Sequence, residues 1–143
     1  MTFSQEENLD EYVYHPINAF NLLKRSASIG KWIPKLNTSI HFFNSKEDSF
    51  ALEEDFHNSH LGIAAINEYV DIDTNSIAKG MFVNDMAGQK FMSNSWLTSS
   101  DLMKVADEAR KVKYTGGYVE WLISALKMAK LEKSDEKYIK NIK

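Results

Sequence analysis

The sequence predicts an all-α protein, a helical bundle or a set of helical hairpins ending in a single αα-hairpin. Three observations predict it. Apolar residues recur three or four apart in almost every segment that has a period, the spacing of one helical face. Start and stop signals (His15-Pro16, Asp73, Thr98 and Gly80) stand at the edges of those segments. The one stretch without a period, residues 83–96, is rich in Asn, Asp, Gly and Ser and is expected to be a loop.

The elements follow in order. Residues 1–14 precede the first clear helix and are expected to be flexible. Pro16 suits the first position of a helix, where its missing N–H costs nothing, and Ile17, Phe20, Leu23 and Ala27 then keep one face. Gly30 and Pro34 end or bend this helix. Ser39–Asn44 is expected to make a short helical turn. A second helix spans about Leu52 to Tyr69, with Phe56, Ile63, Ile66 and Val70 at helical spacing. Asp73 is placed to cap the next short helix and Gly80 to stop it in the left-handed conformation.

Residues 97–131 form the clearest unit. Thr98-Ser99-Ser100-Asp101 has the spacing of a capping box, with Asp in place of the preferred Glu. Leu102, Val105, Ala106, Ala109 and Val112 form one apolar stripe; Tyr118, Trp121, Leu122, Ala125, Met128 and Ala129 form another. Thr115-Gly116-Gly117 between them is the predicted break. Two helices of about 14 residues with this turn match the length of a tetratricopeptide unit, and Ala106 and Ala125 are small where such helices approach closely. A lone unit of this kind must be covered by the preceding helices or by another chain. Residues 15–131 are thus expected to form one all-α domain: helices over 15–82, the loop, and the hairpin. Residues 132–143 form a charged tail. The lysine-rich run from Lys127 to Lys143 reads as a solvated helix face or frayed end.

Composition narrows the function classes. Apolar residues make up 43% and charged residues 26%, so a folded chain is expected. A net charge of -3 lacks the basic excess of a nucleic-acid binder. Without cysteine there is neither a disulfide framework nor a thiolate metal site. No apolar run is long enough to span a membrane, and the N-terminal residues lack the basic and apolar regions of a signal peptide. Asn37-Thr38-Ser39 is a lone glycosylation pattern of little weight.

Three blocks carry a family resemblance: His15 to Arg25 (His-Pro-Ile-Asn-Ala-Phe-Asn-Leu-Leu-Lys-Arg), Glu53 to Gly80, and Leu97-Thr98 through Asp101 with Trp121 and Ala125-Leu126. In this order they resemble the N-terminal region of collagen prolyl 4-hydroxylase α subunits, and together they cover about residues 14–131. The first is similar to the family's Pro-x-Asn-Ala-Phe-x-Leu-x-x-Arg helix, with a following tryptophan displaced by two residues, here Trp32. The second is similar to Glu-Glu-Asp-Leu, a leucine-rich helix, Leu-Asp-Thr and a closing Lys-Gly or Glu-Gly.

The resemblance implies an assembly region followed by the start of a tetratricopeptide-like domain for proline-rich procollagen peptides. It implies other α chains and protein disulfide isomerase as partners, and the endoplasmic reticulum lumen as compartment, with the cytoplasm as the alternative. Residues 1–14 then correspond to a remnant of the family's upstream helix. Iron(II), 2-oxoglutarate and ascorbate are implied only for the family's separate catalytic domain. That domain is expected to be absent here, because none of His15, His41, His57 and His60 belongs to a His-x-Asp pair.

Candidate sites follow from both readings. Arg110, Tyr114, Tyr118 and Trp121 surround the hairpin turn and are the candidate peptide-binding residues, although Tyr118 and Trp121 also stand at core spacing. Most of the family's tyrosines at corresponding positions are replaced here. His57-x-x-His60 shares a helical face but lacks the further ligands of a metal site, and His60 is expected to be partly buried and hydrogen-bonded. Asp71, Asp73 and Asn75 alternate like the start of a calcium loop, but Ser76 and Phe82 stand where that loop needs Gly and Glu. No catalytic, cofactor or metal residue is assigned. The expected function is a non-catalytic module for subunit assembly or peptide recruitment. The alternatives are a truncated part of a full procollagen-proline 4-dioxygenase and a generic helical scaffold.

Overall fold

The computed structural model describes residues 9–32, 53–84 and 89–141. Its elements run α1 (Leu9–Tyr14), α2 (Pro16–Trp32), α3 (Glu53–Val70), α4 (Thr74–Ala78), β1 (Met81–Asn84), β2 (Gln89–Met92), α5 (Ser99–Lys111) and α6 (Thr115–Asn141). The all-α prediction holds, with a single two-stranded sheet added among the described residues. The expected turn at Ser39–Asn44 and the Asn37 pattern lie outside the described residues, as does His41. The chain divides into two compact units, residues 1–59 and 60–143.

In the first unit α2 begins as its sequence requires. His15 stands before Pro16 and its Nδ1 accepts the Ile17 amide at 3.2 Å, so one of the unsatisfied first-turn donors is met by a side chain. Ile17, Phe20 and Ala27 are buried and Leu23 is half-buried, which gives the predicted face. Phe20 meets Phe56 with ring centroids 5.4 Å apart and planes at 52°. Arg25 donates to the Tyr12 hydroxyl at 3.1 Å, tying α2 to α1. Gly30 lies within α2, which the described residues follow as far as Trp32; Pro34 lies outside them.

In the second unit α3 buries His60, Ile63 and Ala64, while Val70, expected on the same face, is exposed at the last position. Asp71 then takes φ 55°, a left-handed conformation that Asp tolerates better than most side chains. The Asn67 amide spans this turn, donating to the Ile72 carbonyl at 2.9 Å. Asp73 caps α4 by accepting from the amides of Asn75 at 2.9 Å and Ser76 at 3.3 Å. Gly80 closes it at φ 67°. Both signals perform as predicted.

The predicted loop over 83–96 is corrected by β1 and β2, which pair antiparallel with Phe82 opposite Phe91 and Val83 opposite Lys90. Each strand has four residues, too short for an alternating pattern to stand out. The cue was the apolar Met-Phe-Val and the Lys-Phe-Met on either side of a sequence holding Asn, Asp and Gly. An isolated hairpin is marginal in water. This one is anchored, because Ser93 donates to the Gly80 carbonyl at 2.8 Å and Leu97 to the Ala78 carbonyl at 2.9 Å.

The capping box at Thr98 and Asp101 is present in both directions. Leu102, Val105, Ala106 and Ala109 are buried as predicted, whereas Val112 caps the helix and is exposed. The break falls earlier than Thr115-Gly116-Gly117. The Tyr114 amide donates to the Ala109 carbonyl and the Lys113 amide to the Arg110 carbonyl, a Schellman closure with Lys113 at φ 64° in the place usual for glycine. Helix α6 starts at Thr115 and runs 27 residues instead of about 14, so it continues through the segment expected as a charged tail.

Helices α5 and α6 are antiparallel, because Glu132 far along α6 reaches Ser99 at the start of α5, accepting its amide at 2.8 Å and its hydroxyl. Trp121, Ala125 and Met128 fill the seam between them, with Ala106 and Ala125 buried as expected. Ser124 is buried too and shares a hydrogen bond of 2.8 Å with Thr74, which joins α4 to α6.

Candidate functional site

The turn between α5 and α6 carries an aromatic pair at the surface of the second unit. The Schellman closure fixes Tyr114 just before α6, where its ring meets that of Tyr69 edge to face, with centroids 6.0 Å apart and planes at 83°. The two hydroxyls are 3.5 Å apart, with Tyr114 as donor. This contact, with lesser contributions from desolvation and from the negative charge of Glu68, holds the Tyr114 phenol above the usual tyrosine range. Tyr69 is 77% exposed and Tyr114 half-buried, so the pair presents one open face and two hydroxyls.

The sequence-predicted residues divide. Tyr118 stands one turn after Tyr114 on α6 and is half-buried. Arg110 lies on the exposed end of α5, where its guanidinium binds Asp107 at 2.8 Å. That hydrogen bond, assisted by the Asp107 charge, raises the Arg110 pKa. It also lowers that of Asp107, to which Lys111 adds a second contact at 3.1 Å. Such exposed pairs contribute little stability, and Arg110 can exchange Asp107 for another acceptor at small cost.

Trp121 is corrected. Its ring is 0% exposed, so it forms core beneath the turn and offers no face to a ligand. Helical spacing on the buried side of α6 carries it there. Its indole N–H has no hydrogen-bond partner among the described residues. Tyr69 is the residue the sequence reading missed: it looked like the last turn of α3, and only the fold brings it to Tyr114. The short spacing from Tyr69 to the capped turn at Asp73 was the available signal that this helix end is fixed.

The acidic turn is committed elsewhere. Desolvation pushes the Asp73 carboxyl up, but hydrogen bonds from Ser76 and the Asn75 amide outweigh it and hold the pKa below the ordinary aspartate range. His57 is exposed and His60 buried, so the two rings face different surroundings. Among the described residues no group of three His, Cys, Asp or Glu could hold a metal ion, and no helix is long and apolar enough to cross a membrane.

The chain matches a family model described as prolyl 4-hydroxylase alpha-subunit, N-terminal region, over residues 2–84. Searches of curated proteins and of solved structures returned no match. The family match covers more than half of the chain and contains the first two of the three blocks noted in the sequence, the His15–Arg25 helix and the Glu53–Gly80 segment with its capped turn. By that match the chain belongs to the family of prolyl 4-hydroxylase α-subunit N-terminal regions.

Proposed function

We propose that this chain is a non-catalytic module of a procollagen-proline 4-hydroxylase α subunit, acting in the endoplasmic reticulum lumen in subunit assembly. The observation that carries this reading is the family match over residues 2–84. Its partners are other α chains and protein disulfide isomerase. Iron(II), 2-oxoglutarate and ascorbate belong to the catalytic domain of such subunits. The residues present do not fit the iron, since the sequence contains no His-x-Asp pair. The test is co-expression of the chain with a catalytic α subunit and protein disulfide isomerase, followed by affinity capture. Recovery of either partner at stoichiometric yield supports the reading; recovery of neither removes it.

The exposed Tyr69–Tyr114 pair favours a second role, recruitment of proline-rich procollagen peptide to a tetratricopeptide-like hairpin. A polyproline II ligand is already stiff, and its rings pack on aromatic faces. Its prolines lack N–H groups, so it presents unopposed carbonyls, and the Tyr69 hydroxyl, which accepts from Tyr114, keeps its own proton to donate to one. Arg110 and Tyr118 flank the pair. Titration with a (Pro-Pro-Gly)-type peptide is expected to show saturable binding that Tyr69→Ala and Tyr114→Ala each weaken several-fold. Absence of binding at millimolar peptide removes this role and leaves the assembly reading standing.

A further inference from the structure

Tyr69 and Tyr114 are 45 residues apart in sequence and side by side in the fold. Their rings meet edge to face with centroids 6.0 Å apart, and their hydroxyl oxygens are 3.5 Å apart. Tyr69 is 77% exposed, so even an oxidant too large to enter a cavity reaches it. It stands at the next-to-last position of α3, and an exposed side chain there changes rotamer in picoseconds to nanoseconds. Tyr114 is held by its amide, which donates to the Ala109 carbonyl in the closure of α5. The chain has no cysteine, so an oxidising compartment cannot staple it through a disulfide.

Two adjacent phenols offer a different oxidative bond. Loss of one electron from Tyr69 to a one-electron oxidant releases its hydroxyl proton to water and leaves a tyrosyl radical. The Tyr114 hydroxyl, which donates to that oxygen, then passes its hydrogen atom across the contact. The exchange restores the Tyr69 phenol and moves the radical to half-buried Tyr114, and it is nearly thermoneutral because both groups are phenols. A second one-electron oxidation at exposed Tyr69 sets two radicals against each other. Each radical is shared with the ring carbons ortho to the oxygen, and a bond between one such carbon of each ring pairs the two electrons. Those two carbons then release their hydrogens as protons while the two oxygens each take one up, which restores both phenols. In all, two hydrogen atoms leave the chain and one hydrogen peroxide is reduced to two waters.

We propose that Tyr69 and Tyr114 form a modification site, joined within one chain as dityrosine by hydrogen peroxide acting through a haem-peroxidase type of oxidant. The bond ties the end of α3 to the turn before α6. It closes a long loop of the unfolded chain, and a cross-link that restricts the unfolded ensemble in this way stabilises the fold. The mobile Tyr69 side chain absorbs the closing of the two rings, so the helices keep their places. The site depends on the ring contact and on exposure, and on neither the assembly reading nor the peptide reading.

The test treats the full chain, at high dilution, with a haem peroxidase and limiting hydrogen peroxide. The expected product runs as a single chain under denaturing conditions, is lighter by two hydrogens, shows dityrosine fluorescence and has a raised urea midpoint. Tyr69→Phe and Tyr114→Phe keep both rings and remove one phenol each. Each is expected to reduce this product at least ten-fold with helical circular dichroism unchanged. Tyr14→Phe, at a site 83% exposed, is expected to leave the yield as it is, which separates ring contact from exposure. Oxidation in urea is expected to lose the product, because unfolding parts the two rings. The proposal is overturned if the folded chain only gains oxygen atoms, or if its dityrosine joins separate chains. It is overturned equally if the product within one chain survives Tyr69→Phe, Tyr114→Phe or unfolding. These results would leave the assembly and peptide readings intact.

Discussion

Gly117 on α6 passes so close to Asn67 on α3 that a Cβ at position 117 would lie 2.7 Å from the Asn67 Oδ1. Asn67 cannot simply swing away, because its amide group donates to the Ile72 carbonyl and holds the turn into α4. One glycine therefore permits the close approach of two helices.

Gly117→Ala is expected to destabilise the protein by about 1 kcal/mol. The clash costs the Asn67–Ile72 hydrogen bond, about 1–2 kcal/mol. Adjustment of the backbone adds to this, against a gain of about 1 kcal/mol in helix propensity. Gly62→Ala supplies the contrast: nothing lies within 4 Å of its Cβ position, so propensity acts alone and stability rises by about 0.5–1 kcal/mol. Urea denaturation of both variants measures the difference in sign.

Lys113 holds a left-handed conformation, φ 64°, in which a Cβ costs about 1–2 kcal/mol. Lys113→Gly is expected to stabilise the hairpin by about 0.5–1 kcal/mol, part of the relief being offset by the freer unfolded chain. Gly80→Ala goes the other way. Its φ is 67°, and a Cβ there would meet the Ser95 carbonyl oxygen at 2.6 Å and the Ser93 Cβ at 2.8 Å. A loss of more than about 2 kcal/mol is expected, from strain plus displacement of the hairpin return. Thermal unfolding of the two variants checks both directions.

The N-cap of α4 gives a pH dependence with a definite sign. Asp73 has its carboxyl pKa lowered in the folded state, so its contribution is complete above the ordinary aspartate value of about 3.9. That contribution is lost as pH falls through the lowered folded value. Asp73→Asn retains a capping oxygen without this titration. The stability difference between the native chain and Asp73→Asn is expected to be largest near neutral pH and to shrink as pH falls below 4. Urea midpoints between pH 7 and pH 2.5 measure it.

Glu132 accepts both the Ser99 amide and the Ser99 hydroxyl, joining the far part of α6 to the start of α5. Glu132→Ala is expected to cost about 1–2 kcal/mol, the range for a charge-assisted contact at a helix N-terminus. Thr98→Ala, which removes the local capping oxygen, is expected to cost about 1 kcal/mol. Hydrogen exchange separates them: Thr98→Ala is expected to expose only the first turn of α5, and Glu132→Ala also to loosen α6 beyond Met128.

The helices and their ends were legible because they depend on neighbours in sequence. Asp73, Gly80, Thr98 and Asp101 act within a few residues of themselves, so residue type and spacing suffice to place them. The buried faces of α2 and α5 were legible for the same reason. Three things were not. The strands at Met81–Asn84 and Gln89–Met92 owe their pairing to each other and to α4. The turn at Lys113 uses a conformation that its residue type disfavours, which drew the predicted break toward the glycines that follow. The length of α6 beyond the expected hairpin depends in part on Glu132 reaching back to Ser99.

The candidate site divides along the same line. Sequence alone determined the all-α class, the caps, the residues around the turn and the resemblance to the prolyl 4-hydroxylase α-subunit N-terminal region. Tertiary structure decided that Trp121 is core, that Tyr69 is the true neighbour of Tyr114, and that Gly117 marks a close approach instead of a turn. The physical reason is range. Capping and amphipathic spacing are fixed within one or two helical turns. A ring pair 45 residues apart exists only after the helices that carry it have packed.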